Sequence, residues 1–197
     1  MALRAEKKAA TRTAIADAAT GLFMERGFDR VTVAEVAEAA RVSVNTAFNY
    51  FPTKEDLFLD RQDDVVSRLA NAVRGAPDPA AAARALFLGE LDRDEPTLGL
   101  HPDAPKFWKV VDDSPALQAR LRLLGETAER AVAAALIESG RPEPDAWWAA
   151  AILTGVDRAL HAHIRRLMLA GEEPAAARAA IRDIAERAFA AAARALS

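Results

Sequence analysis

Between Thr32 and Phe58 the chain reads TVAEVAEAARVSVNTAFNYFPTKEDLF, and this run constrains the fold more than any other segment. Thr32 followed by Glu35 forms a capping box, in which the hydroxyl accepts from the third amide of a helix and the carboxylate turns back to the cap's own amide. Val31 before the cap and Val36 four positions after it match as a hydrophobic staple. Val36, Ala37 and Ala40 give this helix a narrow apolar stripe, and small Ala37 lets a second helix cross closely. Ser43 can cap that second helix, over Val44 to Phe51, after a turn of helix-turn-helix length. Thr53 and Asp56 offer a further cap and open another helix. A unit of this kind places its second helix in the major groove of DNA.

The rest of the chain also reads as helices, with no convincing alternation of period two. A first helix from about Arg4 to Arg26 gathers Ile15, Ala18, Ala19, Leu22 and Phe23 on one face, and Gly27 stops it. The helix opened by Thr53 is expected to run unbroken to about Arg74, connecting a reading head to a body. A helix over about Asp78 to Asp94 gives way to a Pro-punctuated stretch, Asp92 to Pro105, and then to a short helix holding Phe107 and Trp108. A long helix runs from Ser114-Pro115 to Ser139-Gly140, and two more follow, about Asp145 to Ala170 and Pro174 to Leu196. The fold class expected is all-α, divided into residues 1–53 and 54–197.

Composition limits the function classes. A chain of 197 residues that is 51% hydrophobic suits a globular core, and its mean hydropathy is −0.04. It has no cysteine, which rules out disulfides and thiolate metal sites and fits a reducing cytoplasm. No apolar run reaches membrane-spanning length, so a cytoplasmic protein with no membrane partner is expected. Residues 1–54 carry 8 Lys and Arg against 6 Asp and Glu, whereas residues 55–197 carry 18 against 23. A mildly basic head on an acidic body suits a protein that meets phosphates at one end.

The stretch from Thr11 to Phe58 resembles the DNA-binding domain of the tetracycline-repressor (TetR/AcrR) family of bacterial regulators. The resemblance rests on Arg12, Ile15, Ala18-Ala19, Leu22-Phe23, Gly27-Phe28, Thr32-Val33, Val36-Ala37, Val42-Ser43, Thr46, Tyr50-Phe51 and Lys54 to Phe58. It implies an all-helical homodimer with an N-terminal three-helix DNA-binding domain over 1–53 and a helical-bundle ligand-binding and dimerisation domain over 54–197. Arg41 stands at a turn position where the family usually has Gly, which suits positive φ. Phe48 stands where Tyr is common and brings no hydroxyl to a phosphate.

On the second helix of the head, Ser43, Val44, Asn45, Thr46, Asn49 and Tyr50 are the groups expected to meet DNA. Asn45 can pair with adenine through two hydrogen bonds, and Val44 can touch a thymine methyl. Thr46 and Tyr50 suit phosphates. Lys54 lies in the first turn of a helix, where a cation opposes the dipole, so it too is expected on a phosphate. Thr32 and Arg41 complete the set, Arg41 by gaining a phosphate, while Arg4, Lys7, Lys8 and Arg12 make a basic opening to the first helix. In the body, Phe87, Leu91, Phe107, Trp108, Leu121, Leu124, Trp147, Trp148 and Ile152 could line a pocket for an apolar or aromatic ligand.

The last two helices suggest self-association. One carries Trp148, Ile152, Gly155, Val156, Ala159 and Leu167, and the other Ile181, Ile184, Ala188, Ala191, Ala192 and Ala195. Two copies of this pair would make a four-helix interface of two-fold symmetry. His161 and His163 face different directions on a helix, which is poor metal geometry. Paired acids such as Asp63-Asp64 read as solvated charge, and no metal, cofactor or catalytic motif is found. The resulting expectation is a ligand-responsive transcriptional repressor that binds a near-palindromic operator in double-stranded DNA as a homodimer and is released by a small apolar or aromatic effector. The alternative is a helical small-molecule binding protein with a degenerate DNA-binding head, which Arg41 and Phe48 make conceivable.

Overall fold

The computed structural model describes residues 2–197, with side chains from Glu6 onward, so the side chain of Arg4 lies outside the described residues. Ten α-helices and one 3-10 turn make up the described chain, without a strand. They are α1 (Ala2–Arg26), α2 (Val33–Ala39), α3 (Val44–Tyr50), α4 (Lys54–Phe58), α5 (Gln62–Val73) and α6 (Pro79–Asp92), then α7 (Ala104–Asp112), α8 (Pro115–Glu138), α9 (Glu143–Leu169) and α10 (Pro174–Leu196). The 3-10 turn, Pro96–Leu98, lies in the Pro-punctuated stretch before α7. The chain forms two compact units. The first holds residues up to Gln62 together with Lys106–Arg120, and the second holds Asp63–Pro105 with Leu121–Ser197.

The first unit is built around an aromatic core. Phe23 meets Phe28 at 5.0 Å between ring centroids and Phe58 edge-on at 5.8 Å, and Phe107 of α7 stacks on Phe58 at 4.7 Å. Ile15, Ala19, Val36, Ala47, Phe51 and Leu57 fill the space around them. Polar ties secure α7 and the start of α8 to the same unit. Ser114 donates to Asp29 at 3.0 Å, and Arg120 donates to Asp56 and Gln62, each at 2.8 Å. Burial would push the Asp56 carboxyl up, but hydrogen bonds from Gln62 and Thr53 and the charge of Arg120 outweigh it and hold it below its usual value.

The helix expected to run unbroken from Thr53 to Arg74 is divided. Helix α4 ends at Phe58, Leu59 leaves helical geometry at φ −102 and ψ 50, and α5 begins at Gln62. The cause is tertiary. The Arg12 guanidinium lies over the Phe51 ring and donates to the carbonyls of Tyr50, at 3.1 Å, and Asp60, at 2.8 Å. A carbonyl held by Arg12 has a partner without a helical turn beyond it. The same contacts engage Arg12, one of the four residues of the basic opening to α1.

In the second unit α10 packs on α6 and α9 around Phe87, Leu91, Leu153, Leu160, Ile164, Ile181 and Phe189. An ion cluster sits beside this core. Arg68 of α5 donates to Glu90 of α6 at 2.6 Å and to both carboxylate oxygens of Asp157 of α9, at 2.6 and 2.5 Å. The His161 ring lies edge-on to Phe87 with its Nδ1 2.9 Å from the Asp157 carbonyl.

The small-residue stripe expected on α10 divides between two faces. Ile181 and Ala192 point inward with Ala185 and Phe189, whereas Ile184 and Ala188 stay part-exposed and Ala191 and Ala195 are exposed. Residues three apart on a helix are offset by about 60°, so the sequence stripe spanned two neighbouring rows.

Between α2 and α3 the chain turns through Arg41, at φ 56. Val42 donates to the Ala37 carbonyl at 2.9 Å and Arg41 to that of Glu38 at 3.0 Å, the pair of bonds of a Schellman motif. An L-residue in this left-handed position is strained by about 1–2 kcal/mol. Arg41→Gly is therefore expected to stabilise the fold by about 0.5–1 kcal/mol, the strain relieved less the entropy glycine brings to the unfolded chain. Urea denaturation should register this as a higher midpoint at unchanged slope; an equal or lower midpoint would count against the strain.

Candidate nucleic-acid interface

The caps read from the sequence form the frame of the site. Thr32 accepts from the Glu35 amide at 3.3 Å, and its own amide donates to the Glu35 carboxylate at 2.8 Å. Arg26 adds a bond to the same carboxylate at 2.6 Å. The bond from the Thr32 amide, followed by those from Arg26 and the Thr32 hydroxyl, holds the Glu35 carboxyl down to about 2. Because that value is depressed, the stability it contributes is present above the usual carboxylate range and lost as pH falls toward 2. Ser43 accepts from the Thr46 amide at 3.0 Å, and the two hydroxyls are 2.8 Å apart. The hydroxyls of Thr32 and Ser43 are thus engaged in capping the helices that carry the site, and the Thr46 hydroxyl meets that of Ser43.

Helix α3 buries Ala47 completely and exposes Val44, Asn45, Phe48 and Asn49. Residues 44 and 48, and 45 and 49, are one turn apart, so an apolar row and an amide row run side by side on the outer face. Thr46 and Tyr50 are half-buried at the flanks, Thr32 and Arg41 are exposed, and Ser43 is exposed at the start of the helix. Lys54 is half-buried. Its ammonium lies 4.3 Å from the Phe28 ring centroid and 5.8 Å from that of Phe23. Burial lowers its pKa against the opposing pull of Asp29, Glu55 and Glu35. Its stem belongs to the aromatic core, and its charge sits where the aromatic faces attract it.

The nine residues expected to line a ligand pocket are distributed over both units. Phe107 and Trp108 belong to the first unit, where both are half-buried. Phe87 and Leu91 are fully buried in the second, where Phe87 packs against Phe189 at 6.2 Å. Leu121, Leu124 and Ile152 are half-buried, and Trp147 and Trp148 are each 41% exposed, with the Trp148 indole donating to Asp145 at 3.3 Å. A cavity of about 250 Å³ in the second unit lies instead among Asp94, Pro96, Leu98, Leu100, His101 and Arg178. It is smaller than the roughly 300–1,000 Å³ of most small-molecule sites, and none of the nine lines it.

Phe48 is the outer-face residue the expected contact set leaves out. In the sequence it registers only as a missing hydroxyl, although its spacing of four from Val44 is the signal that both share a face.

Residues 15–60 match the family model of bacterial regulatory proteins, tetR family. The HTH-type transcriptional regulator LuxR of Vibrio harveyi is 48% identical over 50 residues, 25% of this chain. The match spans about a quarter of that relative, 24% of its length. Among solved structures, NalD, the secondary repressor of the MexAB-OprM multidrug efflux pump in Pseudomonas aeruginosa, superposes with a TM-score of 0.56 at 18% identity, covering 93% of this chain and 97% of that one. A complex of SmeT with triclosan superposes with a TM-score of 0.59 at 17% identity, covering 94% and 91%. At such identities these structures speak to the fold alone. No helix among the described residues is long and apolar enough to cross a membrane.

Proposed function

We infer from the match of residues 15–60 to the tetR family of bacterial regulatory proteins that this chain is a regulator of that kind, and propose a ligand-responsive repressor that binds a near-palindromic operator as a homodimer. The observation that carries the reading is the outer face of α3, where Val44, Asn45, Phe48 and Asn49 are exposed above a fully buried Ala47. A helix presented in this way fits the major groove, with Asn45 and Asn49 toward base edges. Thr46, Tyr50, Arg41 and Lys54 are proposed to meet the backbone, which fixes register without reading sequence. Thr32 and Ser43 would contribute chiefly through the caps that hold α2 and α3.

Dimerisation is proposed through α9 and α10, along the outward row of Trp148, Ile152, Val156 and Ala159 with Ile184, Ala188, Ala191 and Ala195. These residues remain exposed or part-exposed within the second unit, and the small ones among them allow close helix approach. The effector is proposed to be small and apolar or aromatic, and to act through its differential affinity for two states of the dimer. SmeT, bound to the aromatic molecule triclosan, illustrates such an occupant in a similar fold.

The test is equilibrium binding to duplexes from the DNA flanking the gene, across a salt titration. The parent protein should bind one duplex tightly, with affinity falling steeply as salt rises. Asn45→Ala is expected to cost about 1–3 kcal/mol and to relax discrimination at one operator position per half-site. Binding that never exceeds the level of a random duplex would favour the alternative, a small-molecule binding protein with a degenerate head.

A further inference from the structure

We propose that Phe48 is a specificity-determining residue which, with Val44, reads thymine C5-methyl groups in the major groove and so biases each half-site toward A·T pairs. The inference rests on the DNA-binding reading above and goes beyond it by naming the base chemistry and the residue that selects it.

Phe48 is 44% exposed and Val44 is 38% exposed, on a seven-residue helix whose inner side is closed by Ala47 at 0%. Two large apolar side chains one turn apart on an outward face make a contiguous patch, with polar Asn45 and Asn49 beside it. Leaving a ring and a branched side chain in water brings no benefit to the free domain, whereas covering them on a partner would. Its place within residues 15–60, on the helix offered to the groove, makes it continuous with the DNA-binding domain that the family model matches. The groove has one strongly apolar feature that differs between bases, the methyl group of thymine.

The composition of α3 points the same way. VNTAFNY contains neither arginine nor lysine, the side chains that pair with the O6 and N7 of guanine. It contains two exposed asparagines, whose amides match the N6 and N7 of adenine. An A·T pair presents that adenine edge and a thymine methyl together, so the amide row and the apolar row of α3 can be satisfied by the same pairs. A tyrosine at 48 would direct a hydroxyl toward phosphate; phenylalanine gives that contact up and offers only ring surface.

The experiment uses the full chain and its operator duplex, with each thymine replaced in turn by deoxyuridine, which removes the methyl and leaves the pairing edge unchanged. Anisotropy titrations with the parent protein should reveal one or two positions per half-site, symmetric between halves, where deoxyuridine weakens binding about fourfold, the worth of one buried methyl-sized group. Phe48→Ser, which alters an exposed side chain, should bind thymine and deoxyuridine duplexes equally at one of those positions, while Val44→Ser removes sensitivity at another. Uniform binding by the parent to every deoxyuridine duplex would overturn the proposal with no variant needed. So would a Phe48→Ser variant that weakens both duplexes alike and keeps the parent's sensitivity. A parent protein with no preferred duplex at all would instead overturn the DNA-binding reading, and the two failures are distinguishable.

Discussion

Arg68→Met is expected to destabilise the protein by about 3–5 kcal/mol, a large part of the stability of an ordinary domain. The Arg68 side chain is 12% exposed and holds Glu90, 5% exposed, and Asp157, 18% exposed, by three short hydrogen bonds. Without the guanidinium, two carboxylates from α6 and α9 remain largely out of water, with the Asp157 carboxylate 3.6 Å from the His161 ring. The sign of the pH dependence follows from Glu90. Its burial raises the carboxyl above the usual range, and Arg68 opposes that rise without cancelling it. A carboxyl with a raised folded value contributes most stability below its unfolded pKa and loses that contribution as pH rises through the folded one. Removing Arg68 raises it further, so the deficit relative to the parent should be small near pH 4 and greatest near pH 7. Adding Glu90→Gln and Asp157→Asn should recover most of the loss, because the penalty lies in unpaired buried charge. Denaturant melts across pH read all of this, and a deficit that stays flat with pH would remove Glu90 from the explanation.

What could be read from the sequence is what depends on neighbours in the chain. The capping box of Thr32 and Glu35, the cap at Ser43 and the second box at Thr53 and Asp56 all form as read, because each links residues three apart. Arg41 adopts the positive φ that its place after α2 calls for. The break after Phe58 was not legible, since it depends on Arg12 reaching Asp60, a residue 48 positions away. The stacking of Phe107 on Phe58 was not legible either, since the two rings come from residues far apart in the chain. Lys54 shows the same limit. Its position in a first turn is a local fact, whereas the Phe28 ring beneath its ammonium comes from another part of the chain. Burial also divides rows that a helical stripe alone cannot separate, as Ile181 and Ile184 demonstrate on α10.

That last pair gives the second large effect. Ile184→Glu is expected to convert a dimer into monomers, with helicity kept and operator affinity reduced about a thousandfold, toward the level of non-specific binding. Ile184 is part-exposed within the second unit, so a charge there is tolerated by the lone chain, and glutamate is a good helix former. In the proposed interface the same carboxylate would be buried among small apolar side chains and stripped of its hydration, which is costly. Ile181→Glu supplies the contrast. Ile181 is 0% exposed in the core shared with Phe189 and Ala185, so its replacement should unfold the second unit, whatever the oligomeric state. Sedimentation velocity and circular dichroism together separate the two cases: Ile184→Glu a folded monomer, Ile181→Glu a chain with lost helicity. A folded Ile184→Glu that sediments as the parent does would take this row out of the interface. A folded monomer that still held its operator at full affinity would show that one head suffices, against the paired half-site reading.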